Sequence, residues 1–243
     1  MLSFLFFCTK VKKWRFLLMK RNIILTILAS LVLLLSSPAH AVTKQEPPAH
    51  VVILLDLSGS MAQSVEGEKK IDIAKRSIQS FASILSEDTQ VLLRVFGHEG
   101  TNKNAGKAIS CSSSEAVYGF GSYEPSTFQQ ALNVYKPTGW TPLAKALTDT
   151  KQDFEDHQAE GKNIVYVVSD GEETCGGSPS QAAKELHEDG IDTIVNIIGF
   201  DVNEKEAKSL KSVAKAGGGQ YQPAANAEEL NRILQQEASA FGR

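Results

Sequence analysis

Three short segments that lie far apart in this chain carry side chains that could together bind a divalent metal ion. The first segment supplies a carboxylate and two hydroxyls, the second supplies a hydroxyl, and the third supplies a further carboxylate. These side chains belong to Asp56, Ser58, Ser60, Thr141 and Asp170. Every donor is an oxygen atom, and oxygen ligands suit magnesium, manganese and calcium better than they suit zinc or copper. The pattern therefore predicts a magnesium site, with manganese or calcium as alternatives.

The balance of hydroxyls and carboxylates also predicts how the site would act. We expect Ser58, Ser60 and Thr141 to touch the ion directly. The two aspartates would bind it either directly or through water, since magnesium commonly retains several waters. Neutral hydroxyls leave much of the ion's positive charge uncancelled. An open coordination position would then attract an acidic group from a partner.

Two of the three segments follow short apolar runs, which are typical of buried parallel strands. Val51–Leu55 lead directly to Asp56, and Ile164–Val168 end two residues before Asp170. Ligands of open α/β sheets bind at the carboxyl ends of the strands, so both aspartates should lie on one rim. The first segment alone also fits a helix-capping turn, because Asp and Ser favour such turns. The three segments together favour the metal site.

Strand-like and helix-like segments alternate along the rest of the chain. Further predicted strands are Val91–Phe96, Ala116–Phe120, Thr193–Gly199 and Gln220–Gln222. Predicted helices contain Ile71–Leu85, Ser126–Tyr135, Leu143–Phe154, Ser180–Glu188, Glu204–Ala216 and Ala227–Phe241. The first motif is expected to lead through Met61 directly into the first helix. Pro142 fits the first turn of the helix that contains Leu143–Phe154. The segment Glu99–Ser114 is expected to be a loop. The alternation predicts a largely parallel sheet with helices on both faces.

These segments resemble the von Willebrand factor type A (VWA) domain family, from about Ala49 to the C-terminus. The family's metal-ion-dependent adhesion site (MIDAS) consists of a first motif, an isolated threonine and a later aspartate. The first motif is matched here by Asp56, Ser58 and Ser60, the threonine by Thr141 and the aspartate by Asp170. The wider stretches Gly139–Leu143 and Val168–Gly177 resemble a bacterial secreted branch of the family. The resemblance implies a Rossmann-like, three-layer α/β/α fold, with a mostly parallel central sheet and one short antiparallel edge strand. It also implies metal-assisted binding of a protein.

The start of the chain has the layout of a secretory signal. Met19-Lys20-Arg21 is followed by the apolar run Ile23–Leu35 and by the small-x-small pattern Ala39-His40-Ala41. We predict export to the periplasm or the exterior, with cleavage after Ala41. The alternative is an uncleaved membrane anchor, but the apolar run is shorter than the ~20 residues that a spanning helix needs. No stable membrane span is expected in the mature form.

This layout divides the chain into four parts. They are an upstream extension over residues 1–18, a signal peptide that starts at Met19 and ends at 41, a linker over 42–48, and one domain over 49–243. Residues 1–41 hold six of the 25 basic residues and none of the 28 acidic ones, so the mature chain carries a formal charge of −9. An acidic domain is a poor candidate for nucleic-acid binding, which depends on basic contacts to phosphates.

Two cysteines, Cys111 and Cys175, remain after the predicted cleavage. In an oxidising compartment an even pair suggests a disulfide, and the alternative is two free buried thiols. Cys175 lies five residues after Asp170. A bond between the cysteines would therefore brace the rim that carries the predicted metal site.

Three functions are compatible with these residues. The leading hypothesis is a secreted or periplasmic binding protein, without catalytic residues, whose metal ion captures an Asp or Glu side chain of a partner protein. The alternative is a metal-dependent, phosphatase-like hydrolase that uses the same oxygen ligands. The three segments contain no Lys or Arg to hold phosphate, and no Gly-x-Ser-x-Gly turn is present. A third hypothesis is an envelope scaffold that the ion merely stabilises.

Other residues near the predicted rim have more than one interpretation. Trp140 precedes Thr141 and would anchor a partner if exposed, or position its loop if buried. Glu172 and Glu173 follow Asp170 and would either support the site, select partners by charge or be solvated loop residues. His98 is interpreted as a loop or core-edge residue rather than a catalytic base. Gly217-Gly218-Gly219 is interpreted as a helix end rather than a phosphate cradle.

Overall fold

The computed structural model describes residues 47–188 and 193–241. The strands within these residues are β1 (His50–Asp56), β2 (Ser64–Val65), β3 (Glu68–Lys69), β4 (Gln90–Phe96), β5 (Ser114–Gly121), β6 (Asn163–Ser169), β7 (Thr193–Phe200) and β8 (Gly218–Ala224). One described sheet has six strands in the order β5-β4-β1-β6-β7-β8, and β2 pairs with β3 in a separate hairpin. The edge strand β5 runs antiparallel to β4, and the other neighbouring pairs of the sheet are parallel.

Helices cover both faces of this sheet. They are α1 (Lys70–Ile84), α2 (Lys107–Ser112), α3 (Pro125–Val134), α4 (Leu143–His157), α5 (Pro179–Glu188), α6 (Glu204–Ala216) and α7 (Ala227–Phe241). Helices α1, α3 and α7 contribute to one buried apolar cluster, and α4, α5 and α6 contribute to another. The short helix α2 lies in the connection between β4 and β5.

The strand β1 lies in the middle of these layers, and its side chains alternate between them. Val51, Ile53 and Leu55 belong to the cluster of α1, α3 and α7. Val52 and Leu54 belong to the cluster of α4, α5 and α6. This two-residue period is the one expected of a strand that is buried on both faces. The predicted three-layer α/β/α fold, with its antiparallel edge strand, is therefore confirmed.

The chain between the first motif and α1 differs from the prediction of a helix that follows directly. A 3₁₀ turn at Gly59–Ala62 leads into the hairpin of β2 and β3, and α1 begins only at Lys70. The two residues that join the hairpin strands, Glu66 and Gly67, have φ angles of 53° and 88°. Positive φ at both positions is typical of the tight turns that match the twist of a hairpin. Strands of two residues leave no periodic pattern in a sequence, so the hairpin was not foreseen.

No helix within residues 47–188 and 193–241 is both long and apolar enough to cross a membrane. The predictions of an upstream extension and a signal peptide over residues 1–41 lie outside the described residues, as does most of the 42–48 linker. They stay predictions.

Acid should weaken the fold through His50, which starts β1 and is 3% exposed. Burial, reinforced by the nearby His157, lowers the pKa of His50 from its ordinary value. The unfolded chain therefore takes up a proton at a pH where the folded chain does not, so the contribution of His50 to the free energy of unfolding should fall as the pH falls below about 6.5. The check is the urea midpoint at pH 7.5 and at pH 5.5.

A His50→Phe variant provides the comparison, because its ring can occupy the same space beside Phe120, whose ring centroid lies 5.5 Å from that of His50. From pH 7.5 to pH 5.5, we expect the urea midpoint of the natural protein to change by a more negative amount than the midpoint of the variant. Equal changes in the two proteins would contradict a role for His50.

Candidate functional site

The carboxylate of Asp56 is fixed at the carboxyl end of β1 by the residues around it. The backbone N–H of Ser58 donates a hydrogen bond to its Oδ1 at 2.7 Å. The hydroxyl of Ser169, at the end of the neighbouring strand β6, donates to its Oδ2 at 2.5 Å. Asp56 is completely buried. Both carboxylate oxygens are therefore held in place before any ligand arrives.

Asp170 follows β6 directly and lies beside the first segment. The hydroxyl of Ser60 donates to Oδ1 of Asp170 at 2.6 Å, and the hydroxyls of Ser58 and Ser60 are 3.0 Å apart. The contact of Ser60 with Asp170 joins residues that are 110 positions apart in the chain. It follows from the parallel pairing of β1 with β6, which brings the carboxyl ends of both strands to the same rim.

The segment of Thr141 reaches the same rim through backbone contacts. Gly139 forms a parallel bridge with Ser58, and its carbonyl accepts a hydrogen bond from Gly59 at 2.9 Å. The backbone N–H of Thr141 donates to the hydroxyl of Thr174 at 2.8 Å. A pocket of about 180 Å³ opens here, and its lining includes Ser58, Ser60 and Thr141. The structure thus brings the three hydroxyl residues to one pocket, with both aspartates hydrogen-bonded to its serines.

The two carboxylates disfavour each other's charge. Burial raises the pKa of Asp56, and the nearby Asp170 raises it further. Burial also raises the pKa of Asp170, although hydrogen bonds from Ser60 and the charge of Lys70 oppose the shift. A cation would relieve this repulsion, and all the donors are oxygens, so the residues fit a hard divalent ion. In the described residues no three His, Cys, Asp or Glu side chains are grouped to hold a metal, so such an ion would depend on the hydroxyls.

Comparison with known proteins settles the family. The profile of the von Willebrand factor type A domain matches residues 50–236, which is more than half of the chain. The chain belongs to the VWA domain family. A relative is the uncharacterized protein YwmD of Bacillus subtilis (strain 168), which is 49% identical over 223 residues. The alignment covers 92% of this chain and 99% of that protein.

Solved structures resemble this VWA domain in fold. The pilus adhesin SpaC from Lactobacillus rhamnosus GG has a TM-score of 0.66 and 14% identity, over 82% of this chain and 31% of that chain. Proximal thread matrix protein 1 from the mussel byssus, with a zinc-occupied MIDAS motif, has a TM-score of 0.57 and 16% identity, over 80% of this chain and 46% of that chain. At these identities the likeness concerns the fold alone.

A lysine that the sequence did not single out contacts the site of this VWA domain. Lys70 is the first residue of α1, and its Nζ lies 3.1 Å from Oδ2 of Asp170 and 2.9 Å from Oδ2 of Asp201. Burial alone would lower its pKa, but Asp201 and Asp170 outweigh that effect and raise it, so the ammonium is charged. The sequence contained one signal of this contact, namely a charged residue on the apolar face of a predicted helix. Lys70 lies four residues before Ala74 and therefore falls on the same face of α1.

A disulfide joins a short helix to a loop beside the site. Cys111 lies in α2, within the segment that was expected to be a loop, and Cys175 lies after β6. Their sulfur atoms are bonded and their Cα atoms are 5.4 Å apart. The structure thus contains the pairing that the two cysteines suggested. The bond connects the β4–β5 connection to the loop that starts at Asp170.

The carboxylates after Asp170 are engaged within the domain. Glu173 accepts hydrogen bonds from the backbone N–H groups of Ala144, at 2.8 Å, and Cys175, at 2.7 Å. It therefore stabilises the first turn of α4, where N–H groups lack helical partners. Glu172 pairs with Lys205. Glu173 thus supports the loop after β6, a role that the sequence did not indicate.

Trp140 helps to position its loop, and its ring is also accessible from the pocket. Its backbone N–H donates to the hydroxyl of Ser110 at 2.6 Å, which fixes the loop before Thr141. The residue is partly buried and lines the pocket, and the ammonium of Lys107 lies 4.0 Å from the centroid of its ring. His98, by contrast, packs on Tyr135 with ring centroids 4.9 Å apart and lies 3.4 Å from Glu115.

Proposed function

We propose that this VWA domain acts outside the cytoplasm, in the periplasm or secreted, as a metal-dependent binding protein. A divalent ion would be held by Asp56, Ser58, Ser60, Thr141 and Asp170 and would bind an Asp or Glu side chain of a partner protein. The observation that carries the proposal is the arrangement of three hydroxyl residues around one pocket, with two repelling carboxylates hydrogen-bonded to its serines.

The donor set explains why the ligand would be acidic. When bound, the ion supplies a positive charge that neutral hydroxyls do not cancel, and a carboxylate is the protein group that such a charge attracts most. The hydroxyls of Ser58 and Ser60 are already linked to each other and to Asp170, so little rearrangement is needed to receive an ion. The resemblance in fold to a pilus adhesin supports a binding role.

Magnesium is the ion that we propose, with manganese and calcium as alternatives. Its preference for oxygen ligands and few carboxylates matches the residues at this rim. A fold relative contains zinc in its MIDAS motif, so zinc belongs in the test. Calorimetric titration of the purified protein with each of the four ions should give saturable binding, weakest or absent in Asp170→Ala. A lack of response to all four would overturn the proposal.

The partner itself is the second part of the test. Immobilised protein should retain a partner from envelope extract in excess magnesium and release it in chelator, and Asp170→Ala should not retain it. A partner held equally well in chelator and by Asp170→Ala would contradict metal-mediated capture.

A hydrolase at this rim has weaker support. The serine hydroxyls contact each other and a carboxylate, and Lys70 is buried between two carboxylates instead of being presented to a substrate phosphate. Turnover of generic phosphoesters that disappears in Ser58→Ala would replace the binding proposal with this one.

Trp140 is the side chain that we expect to contribute most to partner affinity outside the metal site. Tryptophan is enriched among interface hot spots, where truncation to alanine costs about 2 kcal/mol or more. Trp140→Ala should therefore weaken partner binding by roughly 30-fold while leaving ion affinity unchanged. Both are measurable by calorimetry once a partner has been captured.

The matched control for this substitution is Val134→Ala, because Val134 is an apolar side chain in α3 that is 69% exposed. It should bind the partner as the natural protein does. Similar losses in both variants would show that the effect of Trp140 is not local to the pocket.

A further inference from the structure

A buried ammonium group contacts Asp170 on the oxygen that does not receive the serine. Oδ1 of Asp170 accepts the hydroxyl of Ser60 at 2.6 Å, whereas Oδ2 contacts Nζ of Lys70 at 3.1 Å. The Lys70 side chain is 5% exposed, and the Asp170 side chain is fully buried. Water therefore does little to screen this pair, and its electrostatic effect on the site should be larger than that of a surface ion pair.

The ammonium is held there by more than one element. Lys70 begins α1 immediately after the hairpin of β2 and β3, and its backbone N–H donates to the carbonyl of Gln63 at 2.9 Å. Asp201, in the turn after β7, provides the second carboxylate at 2.9 Å. A buried charge without partners is costly, so two carboxylates on separate strand ends keep the ammonium in position.

The presence of this charge changes the balance at the rim. The carboxylates of Asp56 and Asp170 would offset part of the charge of a divalent ion held at this rim, and the ion would then attract a third carboxylate less strongly. Lys70 offsets one of those two negative charges at close range. Asp201 is also negative, but its side chain is 45% exposed, so water screens its charge more than it screens the buried ammonium of Lys70. With Lys70 in place, an ion-loaded rim therefore attracts an incoming acidic group more strongly than it would without this charge.

We propose that Lys70 is a built-in counter-charge that weakens the site's affinity for its divalent ion and strengthens the affinity of the ion-loaded site for a carboxylate. This inference rests on the proposed function and specifies a positioning and tuning role for a residue outside the ligand set. It predicts effects of opposite sign on two binding steps. A purely structural role for Lys70 would not produce such a pair of effects.

The test measures both steps with defined probes. Mn²⁺ affinity is measured by electron paramagnetic resonance, and carboxylate binding to the Mn²⁺-loaded protein is measured with the end-blocked tripeptide Gly-Asp-Gly through the relaxation of Mn²⁺-bound water. In Lys70→Met we expect Mn²⁺ to bind about tenfold more tightly and the tripeptide about tenfold more weakly. Lys70→Arg should restore values near those of the natural protein.

The adjacent Lys69 supplies the matched control, because Lys69→Met removes the same charge from an exposed side chain. It should leave both affinities within about twofold, as expected where water screens the charge. If Lys70→Met does not fold, the double variant Lys70→Met, Asp201→Asn removes the buried ammonium together with its 45% exposed partner. It should shift both affinities in the same opposite directions but by a smaller factor, because a negative charge is lost as well.

The outcomes separate the two proposals. A natural protein that binds neither Mn²⁺ nor the tripeptide would overturn the proposed function. A natural protein that binds both, with tripeptide affinity unchanged or increased in Lys70→Met, would overturn only the role of Lys70. The role of Lys70 would also be overturned if Lys69→Met changed the two affinities as much as Lys70→Met does, because the effect would then depend on the net charge of the protein and not on the position of Lys70.

Discussion

Asp56→Asn should make the ion-free protein more resistant to unfolding and should abolish its stabilisation by divalent ions. Asp56 is fully buried, and burial together with Asp170 raises its pKa above the ordinary value. At neutral pH the folded state therefore holds this carboxylate less favourably than the unfolded state does, and the free energy of unfolding falls as the pH rises from the ordinary pKa to the raised one. Removing the charge removes that cost.

The local hydrogen bonds permit this substitution. The backbone N–H of Ser58 can donate to the remaining amide oxygen. The hydroxyl of Ser169 can instead accept from the new amide N–H and donate to the carbonyl of Gly171, from which it is 3.0 Å away. We expect the ion-free variant to gain on the order of 1 kcal/mol or more in the free energy of unfolding at pH 7.

The ion should stabilise the natural protein and have no effect on Asp56→Asn. At a concentration 100 times its dissociation constant, a ligand that binds only the folded state adds about 2.7 kcal/mol to the free energy of unfolding. The natural protein should show this gain in urea titrations with magnesium, and Asp56→Asn should show none. Asp88→Asn, at an exposed position before β4, should behave as the natural protein does. A variant that is weakened without ions, yet still stabilised by them, would contradict the account.

Loss of the disulfide should have the second large effect. The bonded cysteines are 64 positions apart, and closing a loop of that length restricts the unfolded chain by an amount worth about 4 kcal/mol in the chain-entropy model, with about 2 to 4 kcal/mol typical in measurements. The variant Cys111→Ser, Cys175→Ser should therefore unfold at a clearly lower urea concentration than the oxidised natural protein.

The reduced natural protein is the control for this comparison, since it keeps both thiols but lacks the bond. It should unfold near the double variant. If the oxidised protein, the reduced protein and the variant unfold within about 1 kcal/mol of one another, the bond does not contribute to stability as expected.

The features that follow from the pairing of parallel strands could be predicted from the sequence. Asp56 and Asp170 each follow a continuous apolar run, and neighbouring parallel strands must end on the same rim. The convergence of their segments was therefore accessible without coordinates. The disulfide was accessible for a different reason, because Cys111 and Cys175 are the cysteines left after the predicted cleavage.

Contacts made by single long side chains were not accessible in this way. Lys70 reaches Asp170 across 100 positions because the hairpin of β2 and β3 sets where α1 begins, and two-residue strands give no signal. Glu173 accepts backbone N–H groups of Ala144 and Cys175 because of how the loop after β6 folds back. The sequence alone does not distinguish a charged residue that contacts the site, such as Lys70, from one that stabilises a nearby loop, such as Glu173.

The alternation of β1 sets a limit on how this domain can vary. Ile53 packs against one helix layer and Leu54 against the other. If one residue were inserted into β1, every side chain before the insertion would therefore point to the opposite layer. The side chains of β1 could then stay in their present helix layers, or the carboxylate of Asp56 could stay beside Ser169, but not both. Relatives with an intact rim should differ in length at the hairpin turn of Glu66 and Gly67, and not within His50–Asp56.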